Sequence, residues 1–231
     1  MKWKDPSLTL GERCVAFSEQ ELANGVKEDS PSSFTSPRIK EYFSICTRVI
    51  NGKEVNINIS VGNWCASSAA FSLHESLLPG ETRPHGYRVG VVEIISDLQH
   101  NGLYRTVAEA QSGAYQLKVG DPIFFDRSRP NDPSTAWFRH IGRVYSVDGN
   151  GGFHCISGNS GGKWNISSHK LSQVNLLGFG DYSALSMTQQ QAGGLPDWSH
   201  VNILDLAPME DTGKHLEASN FFDLFHSVFG K

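Results

Sequence analysis

The spacing of apolar residues changes near residue 115 of this 231-residue chain. Before that point apolar residues recur at helical spacing. After it they form short runs separated by turn-forming Gly, Pro, Asn and Asp. Helices followed by short consecutive strands predict an α+β fold, in which N-terminal helices pack on an antiparallel sheet. With 39% apolar residues, the chain has enough material for one sizeable core.

The helical half carries clear start signals. Thr9 and Glu12 are spaced as a capping box, and Ser36 followed by Pro37 is typical of a helix N-terminus. A polar, strand-favouring insertion over residues 51–61 leads to Trp64. The predicted helices span residues 8–23, 37–43, 65–78 and 89–99.

The second half predicts strands. Residues 127–136 contain two prolines and read as a loop, and residues 148–152 read as a hairpin turn. Residues 117–125 read as a turn that leads into a strand, and further strands are predicted over residues 137–147, 153–157, 163–166 and 174–179. We therefore expect a lead over residues 1–7, a domain over 8–184, and an extension over 185–231 that ends in an aromatic helix. This tail is expected to dock on its own domain or on a protein partner.

Composition excludes several classes of function. The net charge of −4, without a basic stripe, argues against a nucleic-acid partner. No apolar stretch approaches the ~20 residues of a membrane span. The N-terminus lacks a signal-peptide pattern, so we expect synthesis in the cytoplasm. The four cysteines are widely separated, which argues against a zinc site or a disulfide framework, and no cofactor or metal is expected.

Cys65 is the candidate nucleophile, because small residues follow it and a helix is predicted to begin there. The free N–H groups of a helix N-terminus favour a thiolate. The other three cysteines read as buried apolar residues.

His140, in an apolar strand-like run, is the candidate base. Asn159 is the candidate residue that orients the imidazole, with Ser157 as the alternative on the same strand face.

These motifs together resemble those of the CHAP group of cysteine amidases and peptidases, relatives of the NlpC-type cell-wall hydrolases. The resemblance runs from residue 8 to 182. It includes Trp64-Cys65-Ala66, the strand entry at Gly120-Asp121, the His140-Ile141-Gly142 strand and Gly158-Asn159-Ser160. Two positions depart from the family pattern. Ser157 stands where many members have Glu, and Val119 stands where Pro often precedes Gly-Asp.

The resemblance implies a papain-like fold and hydrolysis of an amide bond in peptidoglycan by Cys65, His140 and Asn159. We expect Trp64, Trp137 and Ser157 to contact the substrate. Without a signal peptide, such an enzyme would reach the wall as a phage-type lysin or after non-classical export. Two alternatives stay open: a catalytically silent papain-like domain with a structural or binding role, and an intracellular thiol peptidase.

Overall fold

A six-stranded antiparallel sheet with helices from the N-terminal half packed against it gives the chain an α+β architecture. The computed structural model describes residues 1–50, 53–128 and 138–185. Three expectations fall outside the described residues: the role of Trp137, most of the loop at 127–136, and all but the first residue of the extension. The α+β expectation is confirmed.

The four predicted helices are present, and the first two begin with the predicted caps. Thr9 and Glu12 form the capping box of the first helix, and Ser36 accepts a hydrogen bond from the Ile39 N–H at the start of the second. One short helix was not predicted, although Thr106 and Glu109 form a capping box there too. The helices are α1 (Leu10–Ala23), α2 (Pro37–Ser44), α3 (Cys65–Ser76), α4 (Val91–His100) and α5 (Val107–Ser112).

The sheet order is β3-β8-β4-β5-β6-β7, and every neighbouring pair is antiparallel. A separate two-stranded antiparallel sheet pairs β1 with β2, and only β2 lies in the segment 51–61 that the sequence predicts as strand-favouring. The two-residue strand β3 was not predicted. The strands are β1 (Thr47–Ile50), β2 (Lys53–Asn56), β3 (Tyr104–Arg105), β4 (Pro122–Asp126), β5 (Arg139–Val147), β6 (Gly152–Ser157), β7 (Asn165–Lys170) and β8 (Leu176–Gly180). None of the helices in these described ranges has the length and hydrophobicity needed to cross a bilayer.

The two faces of the sheet carry different clusters. On one face Ile141 of β5 packs with the helices, in the cluster that holds Cys65 and Ala69 of α3. On the other face Phe125 of β4 and Val144 of β5 pack in a second cluster that the helix α3 does not enter. Side chains alternate between the faces of a strand, so Ile141 and His140 point to opposite faces.

A close backbone approach joins α1 to the turn before β4. A Cβ on Gly120 would overlap the backbone of Gly11, the second residue of α1, and Gly120 itself has a φ of +91°. A Cβ on Gly11 would lie 2.8 Å from the Val119 carbonyl oxygen. Only glycine allows both the left-handed conformation and this separation.

We predict that Gly120→Ala lowers the free energy of unfolding by about 3 kcal/mol, because the new methyl group forces α1 away from the turn. Gly113→Ala is the matched control. Its φ is +80°, but no atom lies within 4 Å of the added Cβ, so only the backbone strain of about 1 kcal/mol applies. Urea unfolding monitored by circular dichroism measures both values. If both variants lost the same free energy of unfolding, the close approach of Gly120 to Gly11 would be contradicted.

Candidate active site

Cys65 is the first residue of α3, as predicted, and its sulfur lies against the backbone of β5. The Sγ atom donates a weak hydrogen bond to the Arg139 carbonyl at 4.0 Å, and only 5% of the residue is exposed. Burial raises the pKa of the thiol above its ordinary value. Hydrogen bonds from the N–H groups of Ile141, Ala66 and Cys65 itself offset only part of this rise. The expected thiolate is therefore not the resting form, although N–H groups suited to an anion surround the sulfur.

His140, on β5, is 3% exposed. Its Nε2 atom lies 3.1 Å from Ser157 Oγ, and its ring centroid is 6.2 Å from that of Phe125. Burial lowers the pKa of His140 well below its ordinary value, and the nearby positive charges of Arg127 and His169 lower it further. The imidazole is consequently neutral near pH 7, which is the form that acts as a general base.

The sulfur contacts the backbone on both sides of His140, at Arg139 and Ile141. The imidazole ring itself lies on the other face of the sheet, with Phe125. Within the described residues no hydrogen bond joins Cys65 to His140. Proton transfer between them therefore requires the Cys65 side chain to turn from the Arg139 carbonyl toward the ring.

The two candidates for the orienting role have different partners. Ser157, the last residue of β6, contacts the His140 ring. Asn159 lies beyond the strand in a left-handed conformation with a φ of 58°, and its side-chain amide donates to Asn63 Oδ1 at 3.4 Å. Asn159 as the third catalytic residue stays a prediction, but the observed hydrogen bond favours Ser157.

Trp64 is buried, whereas we expected it to contact the substrate. Its side chain is 0% exposed, and its indole N–H donates to the Glu28 carboxylate at 3.1 Å. A Cβ on Gly158 would come within 2.7 Å of the Trp64 ring, so the chain after β6 packs directly on this side chain. Because Trp64 is buried, it does not reach a substrate in this structure. It holds the start of α3 in place instead.

A small cavity lies beside the sulfur, between the helices and the ends of β5 and β6. Ser18, Ser68 and Ser157 contribute hydroxyl groups to its lining. Ser68 donates to the Cys65 carbonyl, and Ser18 to the Cys14 carbonyl. The cavity is small, and Ala69, Ile141 and Ile156 contribute apolar groups to its lining beside these hydroxyls.

Sequence analysis missed two charged residues near the site, Glu28 and Arg127. Glu28 is 7% exposed and lies in a segment that the sequence indicates only as a loop. Arg127 follows β4 and acts electrostatically on Cys65 and His140. Neither position carries a local signal, because each depends on contacts between segments that are distant in sequence.

The remaining cysteines, Cys14, Cys46 and Cys155, are buried free thiols. Burial raises the pKa of Cys46 and of Cys155 to about 12, which leaves both unreactive near pH 7. Across the described ranges, no group of three or more His, Cys, Asp or Glu side chains is placed to hold a metal ion.

Comparisons with protein-family models, with curated proteins and with solved structures found no match to this chain. The geometry of the site therefore carries the functional argument.

We predict that alkylation of Cys65 by iodoacetamide accelerates continuously as the pH rises from about 6 to about 9, because the resting group is a thiol with a raised pKa. Peptide mass spectrometry after timed labelling measures the rate at this residue alone, and Cys65→Ser identifies the background. A rate that is constant from about pH 5 to about pH 8 would instead indicate a thiolate–imidazolium pair and contradict the neutral resting state.

Proposed function

We propose that this protein is a cysteine-nucleophile hydrolase with a papain-like, CHAP-type fold that cleaves an amide bond in peptidoglycan. One observation carries the proposal. The cysteine that begins a buried helix contacts the backbone on both sides of a neutral, hydrogen-bonded histidine. The peptidoglycan substrate is supported by the resemblance of the motifs around Cys65, His140 and Asn159 to those of the CHAP group.

Ser157 sets which nitrogen of His140 acts as the base. When Nε2–H donates to Ser157 Oγ, the Nδ1 atom carries the free lone pair and is available to accept the thiol proton. No hydrogen-bond partner of Nδ1 is found in the described part of the chain. The serine hydroxyl therefore acts as the orienting group, in the place where many members of the resembled family have Glu.

The reaction starts from a neutral pair. Nδ1 of His140 accepts the proton of Cys65 as Sγ attacks the amide carbonyl, which gives a tetrahedral intermediate and an imidazolium. N–H groups at the start of α3 stabilise the oxyanion. The imidazolium then protonates the leaving amine. Water, deprotonated by the same imidazole, releases the acid product and restores the thiol.

Near-neutral operation follows from the two pKa shifts. The pKa of His140 is depressed, so the base stays unprotonated well below pH 6.5. Protonation of the imidazole therefore reduces the rate only in more acidic solution. The pKa of Cys65 is raised, so the nucleophile is generated during the reaction rather than stored as an anion.

A second candidate is a catalytically silent domain with a structural or binding role. The observation in its favour is that Cys65 donates to the Arg139 carbonyl rather than to His140.

A hydrolase of the proposed kind would act on the wall as a phage-type lysin or as an exported antibacterial enzyme. The extension over residues 185–231, with its aromatic end, is proposed to contact a protein partner.

We predict that the purified protein clears peptidoglycan in a zymogram and that Cys65→Ala lowers the turnover number by at least about a thousandfold, because the nucleophile is lost. Mass spectrometry of the released fragments identifies the bond that is cut, and so separates an amidase from an endopeptidase. Absence of clearing by the wild-type protein would favour the silent domain. Equal clearing by both proteins would exclude Cys65 as the nucleophile.

In the same assay, two matched variants identify the residue that orients His140. Ser157→Ala should lower the turnover number about tenfold, the cost of one lost hydrogen bond to the base. Asn159→Ala should change it by less than about twofold, because the asparagine amide bonds to Asn63 instead. The reverse order would restore Asn159 to the orienting role.

A further inference from the structure

Arg127 lies immediately after β4 and continues the pairing of β4 with β5. Its N–H group donates to the Phe138 carbonyl at 3.0 Å, two residues beyond the Phe125–His140 pair. Residues two apart on an extended segment share a face, so the Arg127 side chain lies on the face that carries Phe125 and His140. The residue is exposed, unlike the histidine beside it.

The guanidinium of Arg127 has no carboxylate partner in the described part of the chain. Most arginines elsewhere in this part form ion pairs, and the neighbouring Arg139 pairs with Asp126 at 3.0 Å. Buried Arg143 instead donates to a serine hydroxyl and to two carbonyl groups. The paired residues include Arg13, Arg38, Arg83, Arg88 and Arg105. An exposed guanidinium near the candidate base, with no carboxylate partner among the described residues, is available to bind an anion.

The positive charge of Arg127 reaches both reacting groups. It favours the anionic form of Cys65 and disfavours the cationic form of His140, so it lowers the pKa of each. Its effect extends to His169 and Cys155 on the same face. An anionic group bound at Arg127 would therefore lie within electrostatic range of the sulfur and the imidazole.

We propose that Arg127 binds a carboxylate of the substrate adjacent to the scissile amide. The substrates of the site are then acyl amides or peptides with a free carboxylate next to the bond that is cut. Arginine suits this role because its planar guanidinium donates two parallel hydrogen bonds to a carboxylate. This specificity rests on the proposed function of Cys65 and His140 and names the substrate class of that site.

Two alkylating reagents test the proposal without knowledge of the substrate. Iodoacetate carries a carboxylate and iodoacetamide does not, yet both form the same bond to sulfur. The ratio of their rates at Cys65 therefore reports attraction of an anion and cancels any change in the pKa of the thiol. We expect Arg127→Gln to lower the iodoacetate-to-iodoacetamide ratio about two- to fivefold, the effect of one partly screened charge pair. Arg127→Lys should retain most of the ratio.

Arg105→Gln is the matched control. It removes the same charge from β3, which β8 and β4 separate from β5, and it should leave the ratio at its wild-type value. An Arg127→Gln ratio equal to that of wild type would overturn the carboxylate site alone. A lowered ratio in a protein that does not hydrolyse peptidoglycan would support the anion site and overturn only the wall substrate. Failure of both reagents to label Cys65 in the folded protein would overturn both proposals.

Discussion

The buried side chain of Arg143 connects the helix of the candidate nucleophile to the strand of the candidate base. Its guanidinium donates to Ser72 Oγ and to the Ala69 carbonyl, both on α3, and to the Gly120 carbonyl before β4. The residue is 2% exposed, and the Tyr182 ring lies 5.3 Å from its guanidinium carbon. A buried cation must satisfy its donors within the protein, so each of these contacts constrains the distance between helix and sheet.

This constraint determines where Cys65 can lie. Arg143 comes three residues after His140 on β5, and it contacts the carbonyl of Ala69, one turn into the helix that Cys65 begins. The start of that helix has a second anchor, the hydrogen bond from Trp64 to the buried Glu28. With one contact at the helix start and others further along, the sulfur is held against the backbone at the start of β5, at the Arg139 carbonyl. The site thus depends on polar contacts made in the core.

Burial also sets the chemistry of the site. Removing Cys65 and His140 from water disfavours the charged form of each, so both rest as neutral groups. A site of this kind differs from one that stores a thiolate–imidazolium pair, because under the proposed mechanism the charges would appear only while the substrate reacts. The N–H groups around the sulfur and the exposed Arg127 are then the groups that stabilise negative charge.

Local signals were sufficient to predict four of the five helices and most strands, because caps such as Thr9 and Ser36 act within one turn of the chain. They also placed Cys65 at a helix start. They did not predict that Trp64 is buried or that Ser157, rather than Asn159, meets His140. Those outcomes depend on where β6 ends and on Glu28, a residue far away in sequence. Which side chains meet across the fold depends on how the elements pack. The periodicity of the sequence and the order of its motifs do not determine this packing.

The protonation state of His140 tests the account most directly. Nitrogen-15 NMR of the histidine side chains distinguishes the two neutral tautomers from the imidazolium, and His140→Gln assigns the signal. We predict a neutral ring at about pH 7, protonated at Nε2 by its bond to Ser157 and shifting to the Nδ1-protonated form in Ser157→Ala. An imidazolium signal at this pH, or a ring protonated at Nδ1 in the wild-type protein, would contradict the account of His140 as a neutral base oriented by Ser157.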